Sequence, residues 1–187
     1  APGVPAELHS TDFFRARGYG NRAGNAEEWD VARDLADYVS RVGATRVVAQ
    51  IKPAQPGDES ALLEFLQREF PNRWRFELEE FCRERGRMSD YVLLWTTRGV
   101  DGFCRVTFED SERPIERFYM YRLPRPWGQL GPIGISQSAR GKGYGAALLD
   151  ASLQHLRARG VRGCVIDWTS LLDFYGKFGF KPFRKYE

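Results

Sequence analysis

"ARGKGYGAALL", residues 139–149, sets three glycines at alternating positions, Gly141, Gly143 and Gly145, between two basic side chains and an apolar run. Glycine is a poor helix former and loses much conformational freedom on folding, so such a run is expected where the backbone turns tightly or something approaches it closely. Leu148, Leu149, Leu153 and Leu156 then stripe a helix that ends at Gly160. The first turn of a helix has unpaired amide N–H groups and the positive end of the dipole, and Arg140 and Lys142 add charge beside it, so a phosphorylated ligand suits the turn. A tight turn that only packs helix on strand has the same composition. Two nucleotide loops do not match: Gly-x-x-x-x-Gly-Lys-[Ser/Thr] is absent, and Gly-x-Gly-x-x-Gly differs from the spacing here.

Upstream, "GQLGPIGISQ" (128–137) carries Pro132 between Gly131 and Gly134, and a proline cannot sit in a regular central ladder, so a bulge or splay is expected there. Downstream, "GCVIDWT" (163–169) reads as a buried strand and "SLLDFYGKFGF" (170–180) as a short helix closed by Gly179. Further upstream, "ESALLEFLQREF" (59–70) puts Leu62, Phe65, Leu66 and Phe70 on one helical face before Pro71. A second helix follows, capped by Asn72, with Trp74, Leu78, Phe81 and Cys82 along its stripe. The period then changes: "DYVLLWTT" and "GFCRVTF" form a strand, turn, strand signal around Gly99, and "RFYMYRL" (117–123) reads as a third strand. From about residue 46 the order is strand, two helices, several antiparallel strands, helix, strand, helix, strand, an α/β layout with a mixed sheet.

The 187 residues hold one full domain, or one domain and a piece of another. An apolar share of 42% describes a globular chain, and a net charge of +3 argues against nucleic acid or an anionic membrane as partner. Cys82, Cys104 and Cys164 lie far apart among apolar neighbours and read as reduced, buried thiols of a cytoplasmic protein. His9 and His155, without a Cys-x-x-Cys pair, suggest no metal site. No apolar run reaches the roughly 18 residues of a membrane span. Ala1 in place of Met suggests processing, or a piece of something longer.

"GISQSARGKGYGAALL", taken with "FYGKFGF", resembles the GCN5-related N-acetyltransferase (GNAT) family, and in element order the resemblance covers residues 46–187. It implies a GNAT-like mixed, mostly antiparallel central sheet with a splayed strand pair and helices on both faces. It also implies acetyl-CoA as cosubstrate, with no metal. The segment Arg140 to Gly145 would wrap the pyrophosphate, held by the amides of Lys142, Gly143, Tyr144, Gly145 and Ala146. The pantetheine arm would lie along Ile133, Gly134 and Ile135, where a free N–H of Ile135 or a neighbour would polarise the thioester carbonyl. Tyr175 stands where the family places a tyrosine acid for the departing thiolate; an aromatic at that spacing is also a core packing residue. Family members often carry an asparagine seven residues before that tyrosine, to contact the pantetheine, and here the position is Trp168, whose indole donates but cannot accept.

The activity implied is transfer of an acetyl group to a primary amine by direct attack on the thioester. The other reading is a non-catalytic acyl-CoA-binding or regulatory module. The acceptor, a small-molecule or peptide amine, is not specified by these residues. Asp90, Glu109, Asp110 and Asp167 are candidates for the base, and none stands out. Phe118, Met120 and Arg122 on one side of a strand, with Tyr119 and Tyr121 on the other, suit either an acceptor wall or ordinary sheet packing.

The N-terminal part contains an echo, since "DFFRARGYG" (12–20) aligns with "DFYGKFGFK" (173–181), Phe14 replacing the tyrosine. Residues 1–43 are accordingly read as the tail of a preceding GNAT-like unit or as an N-terminal extension, and 44–187 as the acetyltransferase domain. "EEWDVARDLADY" (27–38) fits a strand through Trp29, Val31 and Leu35 or a helix through Trp29, Ala32, Ala36 and Val39.

Overall fold

The structure, a computed structural model, describes residues 4–8, 10–20, 27–40, 49–112 and 122–186. Its elements are α1 (Thr11–Arg15), β1 (Glu28–Asp34), β2 (Gln50–Pro53), α2 (Glu59–Glu69), α3 (Arg73–Arg83), β3 (Tyr91–Thr96), β4 (Gly99–Phe108), β5 (Trp127–Ile135), α4 (Tyr144–Ala158), β6 (Gly163–Thr169), α5 (Leu172–Gly176) and β7 (Lys181–Tyr186). The helical spacings resolve as read: α2 buries Leu62, Phe65 and Leu66, α3 buries Leu78 and Phe81, and α4 buries Leu148, Leu149, Leu153 and Leu156. Asn72 does occupy the N-cap of α3, but its side chain makes no capping bond. Its carbonyl accepts the first helical bond, from the Phe76 amide at 3.2 Å. The third strand expected at 117–123 falls largely outside the described residues; Arg122 and Leu123 are in a turn.

The seven strands form one sheet in the order β2-β3-β4-β5-β6-β1-β7, antiparallel throughout save for the β5–β6 pair. Alternation of side chains across a strand gives the sheet two apolar faces, and each is covered. On one face α4 and α5 close a cluster that includes Leu94, Val106, Leu130, Leu149, Ile166 and Phe178. On the other, α2 and α3 close a second cluster around Phe65, Leu78, Leu93 and Phe103. No helix among the described residues is long and apolar enough to cross a membrane.

The segment 27–38 takes the strand alternative. β1 lies between β6 and β7, antiparallel to both, with Val31 opposite Ile166 on one side and Pro182 on the other. Beyond it Leu35 and Tyr38 are buried in the α4 cluster. The Tyr38 hydroxyl donates to Asp150 of α4, and Ser40 donates to the other oxygen of the same carboxylate at 2.8 Å.

Candidate functional site

The sheet opens between β5 and β6. The two strands pair through Trp127, Gly128 and Gln129 opposite Gly163, Cys164 and Val165, and then part. Beyond that point, among the described residues, β5 pairs only with β4, as far as Ile135 opposite Gly102, while β6 pairs only with β1, as far as Thr169 opposite Trp29. The register of β4 against β5 shifts between Cys104 and Val106, opposite the segment that contains Gly131 and Pro132. Pro132 has no N–H to give to a ladder, and Gly131 has a φ of +134°, a conformation that L side chains rarely adopt. The splay expected from "LGPIGIS" therefore has its physical origin at these two residues.

The inner edge of β5 offers backbone groups to this gap. Ser136 N–H donates to the Asp101 carbonyl of β4 at 2.9 Å, so by the alternation of an antiparallel ladder the N–H and C=O of Ile135 and of Ile133 point the other way. The side chains of Ile133 and Ile135 pack toward the α4 cluster, and Gly134 faces α2 and α3. A Cβ on Gly134 would lie 2.8 Å from the Phe70 ring and 2.9 Å from that of Phe103. Phe70, Trp74 and Phe103 form a ring cluster there, with centroids 4.8 and 5.5 Å apart for Phe70–Trp74 and Trp74–Phe103.

The glycine turn lies where β5 hands over to α4. Gly141 and Gly143 have φ of +76° and +82°, and Gly143 is the N-cap of α4. The first amide of this stretch to find a backbone partner is that of Ala147, which donates to Gly143 at 3.0 Å; those of residues 141–146 bond to no described residue. A Cβ on Gly141 would meet nothing within 4 Å, so this stretch of main chain is open to a guest. Arg140 Nε reaches the Ile135 carbonyl at 3.5 Å and Lys142 Nζ the Ser138 carbonyl at 2.8 Å, which folds both cations over the turn. These features fit an anionic group such as a pyrophosphate.

Tyr175 comes to the gap from α5. Its ring is buried beside Phe174 and Phe180, and burial, together with the Cys104 thiol and Asp167, pushes the phenol above its ordinary value. Its hydroxyl has no hydrogen-bond partner among the described residues. The ring fills the core, and the hydroxyl makes no bond to a described residue.

Trp168 has a φ of +46°, unusual for a bulky side chain, and its indole is exposed, edge-on to Tyr186 at 5.8 Å. The conformation is held from β1, where Asp30 accepts the Trp168 amide at 3.1 Å and the Tyr186 hydroxyl at 2.7 Å. Asp30 is fully buried, and burial raises its pKa against the lowering effect of those two bonds. Asp30 was not singled out in the sequence. The available signal was a carboxylate at an inward position of an apolar strand, Trp29-Asp30-Val31, which calls for a partner.

Among the four candidate bases the structure separates one from the rest. Asp90 is buried and accepts from Arg87 at 2.7 Å and Ser111 at 2.6 Å. Glu109 is gripped by Arg125 and the Trp127 amide. Asp110 receives Arg87 and Arg159, which hold its pKa down. Asp167 is exposed and has no hydrogen bond or ion pair among the described residues, and its Oδ1 is 3.8 Å from where a Cβ on Gly131 would stand. It lies in the gap. Of the suggested acceptor wall, Phe118, Tyr119, Met120 and Tyr121 lie outside the described residues, and Arg122 is exposed.

Residues 60–180, which include the strand gap and the glycine turn, match the acetyltransferase (GNAT) family. The chain belongs to this family. Similar proteins include the mycothiol acetyltransferase of Nocardia farcinica, 39% identical over 61 residues, which amount to 30% of this chain and 20% of that protein. The GCN5-related glucosamine N-acetyltransferase region of a fungal multi-domain GH3 β-N-acetylglucosaminidase superposes with a TM-score of 0.85 at 25% identity, over 98% of this chain and 23% of that one. A GNAT protein of Sphaerobacter thermophilus superposes with a TM-score of 0.70 at 19% identity, over 98% of this chain and 56% of that one, and shares the fold. The chain thus spans about a fifth of the curated relative and about a quarter of the fungal enzyme.

Proposed function

We propose that this GNAT domain transfers the acetyl group of acetyl-CoA to the primary amine of an amino sugar, by direct attack on the thioester. The observation that carries the reading is the β5–β6 gap, with free backbone groups on one edge, unpaired amides at its end and an uncommitted tyrosine hydroxyl beside it. The amides of Lys142 to Ala146 and the cations of Arg140 and Lys142 take the pyrophosphate, and the edge formed by Ile133, Gly134 and Ile135 takes the pantetheine arm. The Ile135 N–H donates to the thioester oxygen as it becomes an oxyanion. Tyr175 stays protonated through neutral pH and gives its proton to the thiolate as the C–S bond breaks. The amino sugar is suggested by the fungal glucosamine N-acetyltransferase region, which matches nearly the whole of this chain.

The test is release of free thiol from acetyl-CoA by the purified chain with glucosamine, set beside a lysine peptide and a simple alkylamine. Glucosamine-dependent release supports the reading, and release only with the other amines replaces the acceptor. Calorimetric binding of acetyl-CoA without turnover would favour the regulatory alternative. Gly143→Asp places a carboxylate at the turn and forces a left-handed φ on it, and is expected to abolish acetyl-CoA binding in a folded chain.

A further inference from the structure

Side chains on β6 alternate between the two faces of the sheet: Cys164 and Ile166 pack into the α4 cluster, and Val165 packs with Ala32 and Trp127 on the opposite face. Asp167, next in the alternation, belongs to the side of Val165. Tyr175 belongs to the α4 cluster. The two polar groups of the gap therefore approach it from opposite faces of one sheet, close enough for the Asp167 carboxylate to raise the pKa of the phenol. At the next residue the left-handed backbone of Trp168, pinned by Asp30, breaks the alternation, so that both Asp167 and Trp168 are exposed before Thr169 is buried again.

We infer that Asp167 is the base for the acceptor amine, acting from the face opposite Tyr175, so that amine and coenzyme meet through the sheet from its two sides. The inference rests on the acetyl-transfer reading above. The chemistry balances as follows. An acceptor ammonium gives one proton to the Asp167 carboxylate, and the free amine adds to the thioester carbon. The adduct loses its second N–H proton to water, and the C–S bond breaks with transfer of the Tyr175 proton to sulfur. Asp167 then gives its proton to solvent and Tyr175 takes one from solvent, with the amide, free CoA thiol and one net proton as products. Asp30 of β1 and Tyr175 of α5 both carry an electrostatic effect from Asp167. Among the described residues no cation forms an ion pair with it. Arginine holds each of the other candidate carboxylates.

The experiment compares the parent chain with Asp167→Asn and Asp167→Glu in the thiol-release assay across neutral to alkaline pH, with calorimetric binding of acetyl-CoA to each. Asp167→Asn is expected to lower kcat/KM at neutral pH by about 10²–10³-fold, to bind acetyl-CoA as the parent does, and to recover activity as pH approaches the amine's own pKa. Asp167→Glu keeps the carboxylate and is expected to retain a measurable share of the neutral-pH rate. An active parent whose Asn variant keeps the same rate and pH profile overturns the assignment alone. A variant that also loses acetyl-CoA binding overturns it too, because the residue is then structural. A parent that binds acetyl-CoA but acetylates no amine removes the functional reading and this inference together.

Discussion

The turns after α1 and after α5 are built alike and end differently. In one, the amides of Arg17, Gly18 and Tyr19 donate to the carbonyls of Phe14, Arg15 and Phe14. In the other, those of Phe178, Gly179 and Phe180 donate to Tyr175, Gly176 and Tyr175, in the same register, and Gly18 and Gly179 share φ values of +81° and +82°. Yet Tyr19 is 67% exposed where Phe180 is 4% exposed, and Phe14 is 36% exposed where Tyr175 is 4% exposed. The aromatic-glycine pattern encodes a way to stop a helix; it does not encode burial. What buries the second turn is long-range: α4 and the sheet around it, and Arg33 of β1, whose guanidinium donates to the Phe178 carbonyl. In the first turn the contacts are local: Arg17 stacks on Phe13 at 3.6 Å, and the Phe14 ring meets those of Phe13 and Tyr19 edge-on.

The sharpest way to break the likeness is to remove the matched aromatics. Phe180→Ala is expected to cost about 3–5 kcal/mol of stability through the cavity it leaves. Tyr19→Ala should stay within about 0.5 kcal/mol, and chemical denaturation measures both. Next in size is the hydroxyl that distinguishes the turns. Tyr175→Phe is expected to lower kcat by about 10²-fold with acetyl-CoA binding intact, while Phe14→Tyr leaves kinetics as they were. Smaller again is the glycine pair. Gly18→Ala incurs the left-handed penalty of about 1–2 kcal/mol in open space. Gly179→Ala incurs the same and also drives a methyl to 2.8 Å from Arg33 Nη1, so its melting temperature should fall further.

The least effect is one of pH. Burial raises the pKa of Tyr175 in the folded chain, so its share of stability is complete below the unfolded pKa of about 10 and is lost as pH rises through the window above it. Denaturation midpoints of the parent and Tyr175→Phe are expected to draw apart in alkali, the parent falling while the variant, which has no phenol to ionise at this position, holds.

Those two turns also show what the sequence made legible. Helices α2, α3 and α4, the glycine turn and the α5 stop rest on contacts within a few residues, and each was readable from spacing alone. The splay was readable too, because Pro132 cannot donate and Gly131 admits a φ that other residues avoid. The place of β1 was not, since the segment fits two periods and only pairing with β6 and β7 selects the strand. The roles of Asp30 and Asp167 also come from the fold: Asp30 holds a partner 138 residues away, and Asp167 differs from the other three candidate carboxylates in having no ion pair among the described residues.

The insertion of β1 between β6 and β7 has a kinetic side. Val31 must meet Ile166, so the sheet cannot be completed until β6 has been synthesised, 135 residues after Val31, and β7 reaches the rest of the sheet through β1. A pairing of such sequence separation is slow to form, and until it forms the edge of β6 is an unpaired strand open to other chains. Refolding should therefore lag behind helix formation by α2, α3 and α4. At high protein concentration, the competing process is association through that edge.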